Sequence, residues 1–353
     1  MWQPDAVPRS PARRVAVVGA GIAGLTLAAA LGDDVEVTLH EARPERAGLG
    51  ASLVLWPSAL RALDRLGVRP LLGERMTAAG SGRVFDAEGR PLTRPHRMPL
   101  HVVERPDLLA ALTASLPRRA RLVEAEVDDP EELDADLVVG ADGVRSRVRG
   151  LVDPRRAGRR GTPWVALRGA LATRPAPADV GEYWGPGRLL GLVPSPAGGY
   201  WFATHCDDEG VEPLDVDTAL RQAREVFSGA GGRARDVLAS ADPATTSATR
   251  LWTAPPLRRY ASGRYVVVGD AAHAMTPNLG RGACDAVLDA VRLASALRSG
   301  RGTAGYEARR LPPTQAARVA SGALMRLALL DRGSGARDRA LRTVGAVRRG
   351  GRR

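Results

Sequence analysis

Hydrophobic residues run along this chain in two rhythms, and the places where one gives way to the other mark its organisation. Residues 15–18 (VAVV) form a short unbroken apolar run, the pattern of a strand buried on both faces. Residues 22–31 then carry Ala and Leu at helical spacing, and residues 35–39 restore β character before His40 and Glu41. Residues 57–66 predict a second helix, with Pro57 in its first turn and apolar positions three to four apart. A third helix opens at Arg105-Pro106-Asp107 and sets Leu108, Leu109, Leu112 and Leu116 on one stripe. DLVVG at 136–140 predicts another buried strand.

Between about residue 162 and residue 252 the pattern changes to short alternating segments, WVALRGAL, EYWGP, LLGLVPS and GGYWFATHC, divided by Gly and Pro turns. A helical stretch at 216–227 interrupts them. Four of the six tryptophans lie in this span, so it predicts a separate, mostly antiparallel unit. RYVVVG at 264–269 returns to a buried strand, and a long helix follows Gly282. The organisation predicted is an α/β domain interrupted by a β-rich insert. The end of the chain reads as an Arg-rich amphipathic helix pair broken at 333–335, expected to lie as a solvated cover on the α/β domain.

Composition narrows the function classes. The chain has 353 residues, 44% of them hydrophobic, enough for a large core divided between two packed units. Its formal charge of +12 raises the question of nucleic acid. All 51 basic residues are Arg, however, and 13 of them lie between Arg301 and Arg353 against only Glu307, Asp331 and Asp338. That segment holds +10 of the total, and the remainder is nearly neutral. With no zinc-finger spacing and no aromatic–basic interleaving, nucleic acid is not an expected partner. No apolar stretch reaches the ~20 residues that cross a bilayer, and the first residues lack a signal-peptide pattern. A cytoplasmic protein without integral membrane contact is expected, as a monomer or homodimer. Cys206 and Cys284 make no disulfide framework, and His40, His96, His101 and His205 lack ligand spacing, so no metal is implied.

The first chemical signal is Gly19-Ala20-Gly21-Ile22-Ala23-Gly24, between a buried strand and a helix. Gly19 permits the sharp turn, Gly21 lets a pyrophosphate approach the backbone, and Gly24 allows close helix–sheet packing. The helix N-terminus supplies N–H donors and positive potential. Glu41, at the end of the second strand, can accept hydrogen bonds from ribose hydroxyls and would repel a 2′-phosphate. This element alone leaves FAD and NAD open. The second signal is GDAAHAMTPNLGRGACDA from Gly269. Asp270, ending a buried strand, suits polyol hydroxyls. Pro277 and Gly280–Gly282 form a low-bulk loop able to lie against a flat ring, and the following helix points its N-terminus at that ring.

Together with ADLVVGADGVRSRVR (135–149), these segments resemble the FAD-dependent aromatic hydroxylases, the class A flavoprotein monooxygenases. The likeness spans roughly residues 14–310 and implies an α/β fold of the para-hydroxybenzoate hydroxylase kind. A Rossmann-like FAD-binding domain (12–75, 98–160 and 263–320) would be interleaved with a β-sheet substrate domain (76–97 and 161–262), with an Arg-rich helical tail at 321–353. By the family pattern Gly19, Gly21, Gly24 and Glu41 hold the ADP half of FAD. Arg43 or Arg46, and Arg105, occupy arginine positions near it. Asp142 and Gly143 match a segment contacting FAD and pyridine nucleotide, Gly269 and Asp270 match the ribityl contact, and Pro277, Gly280, Arg281 and Gly282 lie beside the isoalloxazine.

The resemblance implies that NADH or NADPH reduces FAD transiently. A flavin C4a-hydroperoxide then passes one oxygen atom from O2 to a small aromatic, polycyclic or unsaturated substrate. The hard chemistry belongs to the flavin; Arg281 and His273 are the side chains considered for roles in it, and for His273 a structural hydrogen-bonding role is the favoured reading. Many relatives carry Gln where this chain has Arg281, and often Gln and Glu where Asp285 and Leu288 stand; Arg281 could bind an anionic substrate, stabilise reduced flavin or turn outward. Trp164, Tyr183, Trp184, Tyr200 and Trp201 are candidates for the substrate-pocket wall, although strand alternation sends about half of them elsewhere. A prenyl-chain alkene reductase and a non-oxygenating binding flavoprotein are the alternatives. The absence of lysine argues against a halogenase.

Overall fold

Unbroken apolar runs become the strands of a two-sided sheet in this computed structural model, which describes residues 13–45, 52–207 and 214–347. In chain order the elements are β1 (Arg14–Val18), α1 (Ile22–Leu31), β2 (Glu36–Glu41), β3 (Ser52–Leu55), α2 (Pro57–Arg65), α3 (Val68–Leu72), β4 (Met76–Phe85) and β5 (His96–Glu104). Next come α4 (Arg105–Ala114), β6 (Ala120–Glu124), β7 (Leu137–Gly140), α5 (Val148–Val152), β8 (Arg160–Leu171), β9 (Gly181–Gly185), β10 (Arg188–Ser195) and β11 (Gly198–Cys206). The chain ends through α6 (Val216–Val226), α7 (Gly232–Ala239), β12 (Thr246–Thr253), β13 (Ala261–Ser262), β14 (Tyr265–Val267), α8 (Asp270–His273), α9 (Gly282–Arg298), α10 (Gly302–Ala328) and α11 (Ser334–Val347).

Two units share these elements. The first comprises residues 1–73, 105–160 and 252–322, and the second residues 74–104, 161–251 and 323–353. The first holds a six-stranded sheet in the order β13-β14-β7-β1-β2-β6, with β1 parallel to β2 and to β7. Val17, Val37, Leu39, Val138 and Val139 have no exposed surface. Both faces are covered, which is why these strands lack alternation. Every strand except the β13 edge points the same way, so the loops after β1, β7 and β14 gather at one end of the sheet.

The second unit is a largely antiparallel sheet in the order β12-β8-β11-β10-β9-β4-β5. Its alternation sorts the side chains onto two faces. Phe85, Leu167, Tyr183, Leu190, Leu192, Trp201 and Ala203 pack on one, with Leu220 and Ala223 of α6 and Leu238 of α7. Trp184, Leu189, Leu251 and Ala166 lie on the other, covered by Met325, Ala328 and Leu329 at the end of α10.

Three expectations are corrected. The boundary expected at residue 98 falls inside β5, whose ladder with β4 carries residues 98–104 into the second unit. The insert ends at 251 instead of 262, because Ala254 donates to the Ala274 carbonyl and β13 pairs with β14 in the first sheet. The C-terminal segment belongs to the second unit and is not a cover on the cofactor domain. There Arg337 is 5% exposed, stacks 5.6 Å from the Trp184 ring and donates to the Ala328 and Trp184 carbonyls, while Arg342 pairs with buried Asp86. Charge misled the sequence reading, since an Arg stem packs well while its head finds carbonyls.

Trp201 fills the space above Gly169, where an added Cβ would lie 2.6 Å from its indole nitrogen. Trp201→Ala removes the largest side chain of that core and is expected to cost about 3–5 kcal/mol. A urea unfolding curve displaced by less than 1 kcal/mol would contradict this packing.

Candidate functional site

At the open ends of β1, β7 and β14 the protein dictates some of its glycines and leaves others unexplained. Gly19 has φ +99°, and a Cβ there would meet the Ala141 carbonyl oxygen at 2.5 Å. A Cβ on Gly24 would stand 2.1 Å from the Gly19 oxygen. Both glycines are therefore demanded by protein contacts, the turn after β1 against the loop after β7 and α1 against that turn. Gly21 differs. Its backbone is extended, at φ −75° and ψ −171°, and a Cβ would meet nothing within 4 Å. Gly282, at the start of α9, likewise has open space and needs no left-handed backbone. Gly280 is the opposite case, at φ +57° with Val54 only 2.4 Å from a would-be Cβ.

The helices behind Gly21 and Gly282, α1 and α9, both begin without a side-chain cap. Uncapped N-termini carry free N–H donors and positive potential, and so suit a phosphate or an electron-rich ring edge. Glu41 braces the first of them. One carboxylate oxygen accepts from the Ala20 amide at 2.8 Å and the other from the Arg43 amide at 2.9 Å. Each oxygen keeps a further lone pair for a ribose hydroxyl. Burial lowers the Arg105 pKa, and the charge of Glu41 opposes that shift. The Arg43 side chain is exposed, and Arg46 lies outside the described residues.

Asp142 and Asp270 stand at the ends of the neighbouring strands. Asp142 accepts from the Arg147 amide at 2.7 Å through Oδ2, while its buried Oδ1 has no partner among the described residues. Burial raises its pKa against several hydrogen bonds, including those from Ser146 and Arg147. Gly143 follows with φ +73°. Asp270 is solvent-exposed yet densely surrounded by protein, and this crowding raises its pKa, opposed by His273 and reinforced by Asp289. A carboxylate both crowded and wet sits in a recess, as a polyol contact would require. Pro277–Leu279 forms a short 3₁₀ turn on which the Trp56 indole donates to the Leu279 carbonyl at 3.3 Å. Asn278 presents a buried carbonyl oxygen with no partner among the described residues. These are the donors, acceptors and clearances that a pyrophosphate, a polyol and a flat ring need, so the residues present fit FAD.

Behind the recess lies a charge network that sequence reasoning missed. Asp289 accepts from the Gly269 amide at 2.9 Å, from His273 Nε2 at 2.6 Å and from Arg310 Nε at 2.6 Å. Arg310 also reaches Asp285 at 2.8 Å, and Asp285 in turn holds Arg281 at 3.0 Å. Burial opposes the charge on His273, but Asp289, Asp285 and Asp270 outweigh it and hold the imidazole pKa above its ordinary value. Arg149, with no exposed surface, donates to the Ala271 and Ala272 carbonyls at 2.9 and 3.1 Å and to those of Arg156 and Pro255. Burial pulls its pKa down to about 10. The Asp285-to-Asp289 spacing on one helix face was the available signal.

Two side chains whose roles the sequence left open find protein partners here. His273 has no exposed surface and is bound to Asp289, so it fixes α8 and does not face a reacting atom. Arg281 pairs with Asp285, which explains the joint departure from Gln at 281 and from the family residue at 285. The pocket-wall candidates also separate. Tyr183 and Trp201 are turned into the core against α6 and α7, and Trp164 and Trp184 lie under the C-terminal helices. Tyr200 shares the face of Trp164 and Trp184 and is buried there, its ring 6.3 Å from Phe202. Cys284 is buried, and burial pushes its thiol pKa up to about 11.

A Rossmann-like sheet with this turn, this recess and a second β unit defines a flavoprotein of the para-hydroxybenzoate hydroxylase fold. Residues 96–317 match the family model described as an FAD binding domain. The chain is 33% identical over 341 residues to a 3-amino-4-hydroxybenzoate 2-monooxygenase of Streptomyces cremeus, covering 85% of this chain and 84% of that protein. It is 32% identical over 314 residues to an aurachin C monooxygenase/isomerase of Stigmatella aurantiaca, covering 80% of each. Among solved structures it resembles Klebsiella pneumoniae HpxO complexed with FAD and uric acid, with a TM-score of 0.84 at 24% identity over 95% of this chain and 94% of that one. The chain belongs to the FAD-dependent aromatic monooxygenase family and is an enzyme of that class.

Three outcomes test this geometry. Gly21→Ala is expected to lose FAD while its apo melting temperature stays within experimental error, whereas Gly24→Ala loses FAD and about 1–3 kcal/mol of stability. Equal melting of the two variants would refute the distinction. Arg281→Gln leaves Asp285 held by Arg310 and is expected to cost under about 1 kcal/mol, against about 3–5 kcal/mol for Arg310→Ala, which strips two buried carboxylates. The raised pKa of His273 stabilises the fold below its unfolded pKa of about 6.5, and that contribution is lost as pH rises through the folded value. A His273→Asn variant is expected to lack this alkaline decline in chemical denaturation.

Proposed function

We propose that this FAD-dependent monooxygenase uses NADH or NADPH to insert one oxygen atom of O2 into a small aromatic substrate bearing hydroxyl or amino groups. Bound FAD supplies the redox chemistry, taking a hydride from the nicotinamide and activating dioxygen so that the second oxygen leaves as water. The observation that carries the reading is the pair of glycines, Gly21 and Gly282, that no protein contact requires, each at an uncapped helix start. The α1 N-terminus would hold the pyrophosphate, Glu41 the adenosine ribose, Asp270 the ribityl hydroxyls and the 277–282 loop the ring. The α9 N-terminus would offset negative charge at the ring edge. A single glycine fingerprint, given to FAD, leaves the nicotinamide to dock transiently. The substrate class is inferred from relatives whose names specify 3-amino-4-hydroxybenzoate, aurachin C and, at 27% identity, urate. The second sheet is the element read as holding that substrate.

Purified protein reconstituted with FAD is expected to show flavin absorption. It should oxidise NADH or NADPH and take up oxygen faster when a member of an aminophenol, hydroxybenzoate, purine and quinoline panel is added. Mass spectrometry with isotopically labelled dioxygen should find one labelled atom in the product. Absence of bound flavin, or reductant consumption yielding only hydrogen peroxide with every compound, would overturn the proposal. Alkene reduction without oxygen demand would identify a reductase.

A further inference from the structure

On the face that carries Trp184 and Leu189, the second sheet has a row of half-buried positions, of which Phe202 also packs against the cluster under the end of α10. Paired positions cross four strands from β9 to β8 on the face opposite α6 and α7, running Glu182, Gly191, Phe202 and Arg168. Gly191 leaves a gap in this row. A Cβ there would fall 2.0 Å from Phe202 Cζ, so the Phe202 ring lies flat across the neighbouring strand towards Glu182. The ring tip thus ends about one strand spacing, ~4.8 Å, from the Glu182 column. Phe202, Glu182 and Arg168 are all half-buried, and Tyr200 extends the aromatic floor on the same face.

Glu182 is the unusual member. Its Oε2 accepts from the Trp184 indole at 2.7 Å, and Oε1 has no hydrogen-bond partner among the described residues. No cation among the described residues pairs with it. Arg168 stands three strands away, roughly 14 Å, and donates to Thr249 at 3.1 Å. Burial raises the Glu182 pKa, opposed only by the Trp184 hydrogen bond. Glu182 Oε1 is not among the fully buried unpartnered atoms, so it stays open to solvent, and a planar ligand that covers it must supply a donor or leave it unpaired. Trp184 itself is accounted for, since it is seated under the α10 end with Arg337 on its ring.

We propose that Glu182 is the specificity-determining residue of the substrate sheet, accepting a hydrogen bond through Oε1 from an amino, hydroxyl or ring N–H donor on a planar aromatic substrate that stacks on Phe202. This rests on reading the second sheet as the substrate-binding element. The spare acceptor selects donor-bearing rings over rings of equal size without donors, and the absence of a nearby cation leaves a carboxylate substituent without a counter-charge at this spot. Discrimination is steep once a ligand covers this acceptor, because a ring without a donor then leaves it unpaired.

The test compares 2-aminophenol with 1,2-dimethoxybenzene by calorimetry on FAD-loaded protein. Wild type is expected to bind 2-aminophenol at least about tenfold more tightly. Glu182→Gln keeps an acceptor for Trp184 but turns an NH2 group towards the ring, and should lose the preference with an unchanged melting temperature. Glu182→Leu should lose it too, and should favour 1,2-dimethoxybenzene. A wild type without the preference, or a Glu182→Gln that retains it, overturns the assignment. Flavin content and oxygen uptake on the same preparations report the monooxygenase reading separately. An active wild type with unchanged preference in Glu182→Gln defeats only the role of Glu182.

Discussion

Asp289 holds three donors at once, and the shape of the flavin recess follows from that. Its carboxylate fixes the Gly269 amide where β14 ends, the imidazole of His273 on α8 and the guanidinium of Arg310 on α10. Three elements that must present a loop to a cofactor are thereby tied to one point on α9. Arg310 extends the tie to Asp285 one turn earlier, and Arg149 secures α8 from the other side through backbone carbonyls. A buried set of this kind gains little net energy over a hydrophobic equivalent. What it contributes here is position, since each member is directional and breaking one leaves another buried and unpaired.

The cofactor half was largely legible in the sequence because its demands are local. A turn that must pass close to another loop needs Gly19 and Gly24, and those needs appear as letters at fixed spacing. The strand and helix positions of α1, α2, α4, α9 and β7–β11 follow from runs and stripes in the same way. Contacts between distant segments were not legible. Nothing near Asp289 announces that Arg310 will neutralise it, and Arg281 looked like a free cation because its partner Asp285 was read as a departure in its own right. His273 is the converse case, a histidine in a functional motif whose structural role was already the favoured reading and whose partner, Asp289, lies sixteen residues on.

The second sheet was readable as a β unit but not face by face. Of five aromatic candidates for the pocket wall, alternation turns Tyr183 and Trp201 to the α6 and α7 face, and the C-terminal helices cover Trp164 and Trp184 on the other. Glu182 and Phe202 were passed over, since a glutamate and a phenylalanine on separate strands acquire meaning only through register. The glycine at 191, silent in the sequence, is what lets one ring reach towards the other strand's carboxylate.

The chain passes between its two units at residues 73–74, 104–105, 160–161, 251–252 and 322–323. On the ribosome the nucleotide turn of β1 and α1 emerges first, while Asp289 and Arg310, which set the flavin loop, emerge after most of the substrate sheet. The nascent cofactor domain thus waits, with its first apolar strand made and its parallel neighbours β7 and β14 still to come, for long-range pairings that form slowly. The residues that set the flavin loop therefore follow the substrate sheet in the order of synthesis. A cofactor that binds only the completed fold adds to its stability by mass action.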